Sequence, residues 1–216
     1  MTTTKYTVAT AMKEVGGLGK PSKMPGFSYS VPAQECKTGS KLVKVKGSVC
    51  YNCYALKGNY IRFANVGKAL YNRLDLVENN PKWVRAMAFL INWYASKTTH
   101  FRWHDSGDIQ SVKHLTKIVE VCKLTPSVKH WLPTREAKMV KEYLKDYGSF
   151  PSNLIVRVSA TMVDGEPHKF HEHTSTVVTS KSDKGYTCPA PTQGNECKDC
   201  RACWDKRVSN VAYLEH

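Results

Sequence analysis

Seven of the eight cysteines fall into two compact groups. Cys36, Cys50 and Cys53 form the first, its last two members inside the run Cys50-Tyr51-Asn52-Cys53-Tyr54-Ala55. Cys188, Cys197, Cys200 and Cys203 form the second, spaced C-x8-C-x2-C-x2-C. Two intervening residues let neighbouring thiolates converge on one centre without strain. Four such thiolates complete a tetrahedral zinc site or hold a cubane iron–sulfur cluster. Few other features of a chain constrain its folded form as strongly, because each group must bring distant loops together.

At 216 residues the chain is long enough to bury a sizeable core. It holds no apolar run of membrane-spanning length, and Met1 to Thr10 lacks a basic-then-apolar secretory pattern. A cytoplasmic, reducing setting is expected, and there grouped cysteines are metal ligands more often than disulfides. The formal net charge is +14. Residues 1–73 hold 12 Lys or Arg against only Glu14 and Glu35, so +10 of the charge lies in the first third. Such a field attracts nucleic acid or an anionic small molecule.

Residues 1–50 are punctuated by Gly16-Gly17, Gly19, Pro21, Pro25-Gly26 and Pro32, and read as ordered loops or a short hairpin rather than a helix. Helices are expected at 62–78 and at about 81–96, the second capped by Asn80 with Pro81 in its first turn. Its apolar residues surround the axis almost completely, which predicts burial. A βα rhythm follows. Strands are expected at 101–106, 128–134, 153–159 and 176–179, with helices at 111–123 and 135–146, the first capped by Ser111. Strand starts recur every 20–28 residues or so, as in repeated βα units. The fold class is therefore α/β, a parallel sheet like a partial βα barrel, with cysteine-rich loop segments at the N- and C-termini. Three regions follow: a basic Gly/Pro-rich segment with the first cysteine group at 1–60, the βα core at 61–182, and the second cysteine group at 183–216.

Each strand ends in polar residues, and in parallel sheets the carboxyl ends of strands build the site. The densest is Trp103-His104-Asp105-Ser106-Gly107-Asp108. His104, Asp105, Asp108 and Arg135 are the candidate lining of a site. Turn chemistry alone also favours such residues. The tight C-x2-C-x2-C core of the second group favours an iron–sulfur cluster over zinc. Three thiolates in the first group would leave an iron open to a cofactor or substrate. A fourth ligand completing a zinc site, or an unrelated Cys36, are the other readings there. Cys122 falls on the apolar face of its helix and reads as core. His168, His171 and His173 read as a solvated loop.

The Cys50–Ala55 run resembles the C-x2-C-Y-A signature of radical S-adenosylmethionine-like phage proteins and of the spore photoproduct lyase group. The wider order is similar to a phage family known as the gene product eighty-eight proteins. The shared elements are Gly19-Lys20 through Phe27-Ser28 and Pro32, Cys36, the Cys-x-x-Cys-Tyr-Ala run, Arg102 to Asp108, Leu132-Pro133-Thr134-Arg135 and the C-terminal cysteines. The resemblance implies a phage iron–sulfur protein in the host cytoplasm, and carries cluster binding to Cys36, Cys50 and Cys53. It carries cleavage of S-adenosylmethionine poorly. The gap from Cys36 to Cys50 is 13 residues rather than three, and no Gly-Gly-Glu follows the next strand.

Three functions are therefore open. The first is an iron–sulfur protein with one or two [4Fe–4S] clusters, in the form of a radical enzyme or without catalysis. The second is a zinc-stapled nucleic-acid binder, and the third a redox-sensing iron–sulfur regulator. For the N-terminal lysines, among them Lys20, Lys23, Lys37, Lys41, Lys44 and Lys46, a solvating or cofactor-holding role is favoured. The segment lacks the repeated aromatic stacking positions of a single-strand binder.

Overall fold

The computed structural model describes residues 5–181 and 183–215. Its centre is a seven-stranded sheet in the order β1-β2-β3-β4-β5-β7-β6, with every pairing parallel. The strands are β1 Phe27–Tyr29, β2 His100–Trp103, β3 Lys129–Thr134, β4 Leu154–Val163, β5 Thr174–Val178, β6 Tyr186–Thr187 and β7 Asn210–Leu214. The sheet stays open, so the architecture is that of a partial βα barrel.

The helices are α1 Val8–Val15, the single turns α2 Gly39–Leu42 and α3 Asn59–Arg62, then α4 Ala64–Asn79, α5 Trp83–Tyr94, α6 Val112–Leu124 and α7 Ala137–Tyr147. The four strands of the expected rhythm are parallel neighbours, with α6 and α7 as the crossovers between β2, β3 and β4. Ser111 caps α6, accepting from His114 N.

Three local expectations are corrected. The N-terminal stretch contains α1, an eight-residue helix closed by a Thr7–Thr10 capping box and ended by Gly16 at φ 73°. Its glycine-rich surroundings hid it, and packing on α5 stabilises it. The helix expected from Pro81 begins at Trp83, after Asn80 Oδ1 accepts from Lys82 N. That helix is amphipathic rather than buried all round: Trp83, Met87, Leu90 and Ile91 are buried, while Trp93 is exposed.

Successive side chains of a strand point to opposite faces, and here the two faces do different work. One face carries Phe101, Trp103, Leu132, Val156 and Val158 into the main core against the helices. The other carries Trp131 and Val211 against Ala202, Cys203 and Trp204, so the C-terminal cysteine loop packs on the opposite face of the sheet. Arg102 and Arg157, placed between apolar neighbours in β2 and β4, share that second face by strand alternation. Among the described residues, no helix is long and apolar enough to cross a membrane.

Candidate functional site

The strand ends border a cavity of about 870 Å³, near the upper end of volumes typical of small-molecule sites. Cys36, Cys50, Cys53, Cys188, His104, Asp105, Asp108 and Arg135 all line it. The residues singled out at the strand ends and the first cysteine group therefore meet in one space.

The turn after β2 places three of them. His104 adopts φ 54°, a conformation uncommon outside glycine. Its amide donates to Tyr29 O at 2.8 Å, which locks the turn onto β1. Gly107, at φ 76°, lies so close to Val31 that an added Cβ would sit 2.4 Å from the Val31 carbonyl oxygen. Only glycine fits there. The His104 ring is buried, and neither of its nitrogens has a hydrogen-bond partner among the described residues. Burial, reinforced by Arg102, pushes it down to a pKa of about 3, so it is a neutral imidazole.

Asp105 and Asp108 differ although both are shielded from water. Burial raises Asp105, but Arg102 and the hydroxyls of Ser30, Ser28 and Tyr60 outweigh it and hold the carboxyl below its usual range. Tyr60 OH donates to it at 2.9 Å, and Ser30 also bonds it. Asp108 accepts from Thr134 Oγ1 at 2.6 Å, Arg135 N at 2.8 Å and Ile109 N at 2.8 Å. Burial still prevails and lifts it to about 6. One carboxylate is thus held ionised, while the other is able to exchange a proton near neutrality.

The loop bearing Cys50 is stitched to the end of β4. Val49 N donates to Thr161 O and Val163 N to Gly47 O, both at 3.0 Å. The loop beyond Cys36 is held by Glu136, whose carboxylate accepts from Thr38 N at 2.7 Å and Thr38 Oγ1 at 2.8 Å. Burial pushes the Cys36 thiol up, and Asp108, Cys53, Cys50 and Glu136 add to the rise. Cys50 also rises by burial, with Arg135 opposing. A Cβ on Gly39 would sit 3.0 Å from Cys36 Cβ and 3.7 Å from the sulfurs of both Cys36 and Cys50. The missing side chain leaves room beside both sulfurs.

In the second group Cys188 lies within electrostatic reach of Cys197, Cys200 and Cys203, and Cys197 of Cys200. Tyr213 OH and Cys203 Sγ are 3.1 Å apart, and Tyr186 OH and Cys200 Sγ 3.5 Å. Burial raises Cys203 to about 12, with Tyr213, Arg157 and Arg102 pulling the other way. Among the described residues, no group of three or more His, Cys, Asp or Glu side chains is arranged to hold a metal ion.

Arg157 is the residue that sequence reasoning missed. It is fully buried and donates to five carbonyls: Cys203, Thr174, Ser209, Ala202 and Asp205. Every N–H of its guanidinium is used, and the acceptors include the backbone of the second cysteine loop. A lone arginine within the apolar run Leu154–Val158 was the available signal. Arg102 is a second such residue, within the strand-end run but without a role that the sequence reveals. Its guanidinium lies 4.7 Å from the Trp131 ring centroid and in the field of Asp105, Tyr54, Tyr213 and Cys203, so it stands between the two cysteine groups.

Of the other readings outside the site one holds, and the solvated loop expected at His168, His171 and His173 is corrected, since all three are half-buried. Cys122 is buried in the core. His171 Nε2 donates to Val156 O at 2.8 Å and His173 Nε2 to Lys206 O at 3.0 Å, so both rings tie the β4–β5 connection down.

Fold and site together define an open parallel α/β half-barrel with thiols and ionisable groups gathered at the carboxyl end of its sheet. The chain belongs to the Gene product 88 family, a phage family whose model matches residues 2–206, a span that takes in both cysteine groups. No curated protein and no solved structure matches it.

Proposed function

We propose that the chain is an iron–sulfur protein with a [4Fe–4S] cluster at each cysteine group, and that the first cluster faces the cavity with an open iron. The observation that carries this reading is the placement of Cys36, Cys50 and Cys53 on the wall of a large cavity, with the Gly39 gap beside their sulfurs. Thiolates around a cubane bind separate irons, so they need not crowd one point as the donors of a single ion do. Cys36, Cys50 and Cys53 would hold the first cluster; Cys188, Cys197, Cys200 and Cys203 the second.

An open iron supplies a coordination point for a cofactor, and a radical S-adenosylmethionine-like reaction is the enzymatic form of this proposal. The chain's own residues prepare that space. Arg135, whose field favours the Cys50 thiolate, offers positive charge to an anionic ligand group. Asp108 holds a proton that it can release near neutrality. Asp105 stays ionised and keeps Arg102 charged. His104 presents an uncharged ring to the cavity.

Anaerobic purification followed by iron, acid-labile sulfide and zinc analysis tests the proposal. Brown protein with iron and sulfide is expected, and Cys53→Ser and Cys200→Ser should each remove about half of the iron. Stoichiometric zinc without sulfide, in protein never exposed to air, would overturn it in favour of the zinc-stapled binder. Iron confined to one group would reduce the proposal to a single cluster.

A further inference from the structure

Between Glu35 and Asp75 the chain carries eight Lys or Arg and no Asp or Glu. This stretch is the cysteine-bearing loop together with α2, α3 and most of α4. It also displays aromatic rings. Tyr51, Tyr54, Phe63 and Tyr71 are 45%, 57%, 52% and 46% exposed. This corrects the sequence reading, in which the segment lacked stacking positions.

The rings lie at the cavity and in the helices beside it. Tyr51 and Tyr54 line the cavity. The Tyr54 and Tyr60 rings are 6.1 Å apart. The Arg62 guanidinium is 5.9 Å from the Phe63 ring centroid. Tyr71 OH donates to Glu35 at 3.2 Å, one residue before Cys36. Lys57, Arg62 and Lys68 are exposed among these rings. A merely solvating face has no need of four half-exposed aromatic rings, and a stretch meant for another protein surface has no need to carry eight cations and no acid of its own.

We infer that this face binds single-stranded nucleic acid and leads an unpaired base toward the cavity. The inference names the substrate class for the site proposed above and rests on that reading for the position of the reacting centre. Cations spaced along a surface track a phosphate backbone, and exposed rings stack on unpaired bases. Rings of this kind find no free base faces in a duplex, which favours single strands. A cavity walled by Tyr51 and Tyr54 suits a base turned out of its stack.

The test is fluorescence anisotropy with a labelled single-stranded oligonucleotide, a duplex of the same sequence, and anionic phosphatidylserine vesicles as a third arm. Iron and sulfide are measured on the same anaerobic samples. Single strands should bind more tightly than duplex, with affinity falling steeply with salt. Replacing Lys57, Arg62 and Lys68 together by Ala should flatten the slope of log affinity against log salt by about 2, at about 0.7 for each phosphate deprived of its cation. Phe63→Ala should weaken binding by between about 5- and 150-fold with the slope unchanged, as removal of one base–aromatic stack does. Equal binding of duplex, indifference to Phe63→Ala, or binding to vesicles in place of oligonucleotide would overturn the inference. Iron without oligonucleotide binding would sink this inference and leave the cluster proposal standing. Binding without iron would do the reverse.

Discussion

Around Cys36 the charged neighbours are carboxylates, Asp108 and Glu136. Around Cys197 and Cys203 they are guanidiniums: Arg102 and Arg201 for the former, Arg157 and Arg102 for the latter. The first group and Cys188 of the second border one cavity, yet the second has guanidiniums beside it that favour thiolate and the first, apart from Arg135 near Cys50, does not. The backbone follows the same division. Arg157 clamps the second loop with four hydrogen bonds and ties it to β5 with a fifth, while the first is held at its margins by Glu136 and by the end of β4. Burial raises the thiols of both groups, but beside the second the guanidiniums offset part of that rise, which would suit a permanent structural centre. A thiol among carboxylates waits for incoming positive charge, which suits a centre that exchanges ligands.

Acid should give the largest effect, through buried histidines at the cavity and in the core. An unfolded histidine takes up a proton near pH 6.5. In the fold, burial keeps His104 and His130 neutral down to about pH 3. Their contribution to stability is complete above pH 6.5 and is lost as pH falls, by about 3 kcal/mol per ring at pH 4. Asp108 acts in the opposite sense. With its pKa raised to about 6, it binds its proton in the fold before the unfolded chain does, and returns about 2 kcal/mol on the same descent. Denaturant titrations should therefore show stability falling by several kcal/mol between about pH 7 and pH 4. A flat profile would mean that these rings are not held neutral.

Removing the clamp comes next. Arg157→Met should destabilise the protein by about 3–5 kcal/mol, because five carbonyls, three of them at buried contacts, lose their donor. Amide exchange should rise around 202–209 before it rises around 47–53. If both regions loosen together, the two groups are not separately held. Smaller is Gly39→Ala, which places a methyl against Cys36 and Cys50. About 1–2 kcal/mol of overpacking is expected, together with selective loss of metal from the first group. Equal loss from both groups would contradict the separation. Cys122→Ser is the smallest: about 1 kcal/mol with metal content unchanged, since this thiol belongs to the core.

The central strands were legible because parallel strands covered on both faces read as apolar runs separated by amphipathic helices. β2, β3 and β4 are of this kind, and Ser111 announced α6. The strands outside that rhythm were not. β1 has three residues and β6 two, and each joins the sheet only through a distant strand, although Ser28 of β1 also bridges antiparallel to nearby Gly19. The cysteine spacing disclosed which thiols belong together. It could not disclose Glu136, whose partner Thr38 lies 98 residues away, nor the carbonyls that Arg157 meets 45 to 52 residues downstream. Asp105 and Asp108 look alike in sequence, and only their surroundings separate them.

The pairing of β1 with β2 joins Phe27 to Phe101, a far longer chain closure than the one joining Val158 to Thr174 between β4 and β5. Closing a long loop costs more entropy and tends to come late in folding. β1 is an edge strand of three residues, anchored once formed by the fully buried Tyr29, whose OH bonds Val15 O and Arg73 O. Its loop carries Cys36, and its Tyr29 carbonyl locks the turn of His104. The cavity-bearing end of the sheet is thus assembled late, and a bound centre tying Cys36 to Cys53 would shorten that loop and hasten its closure.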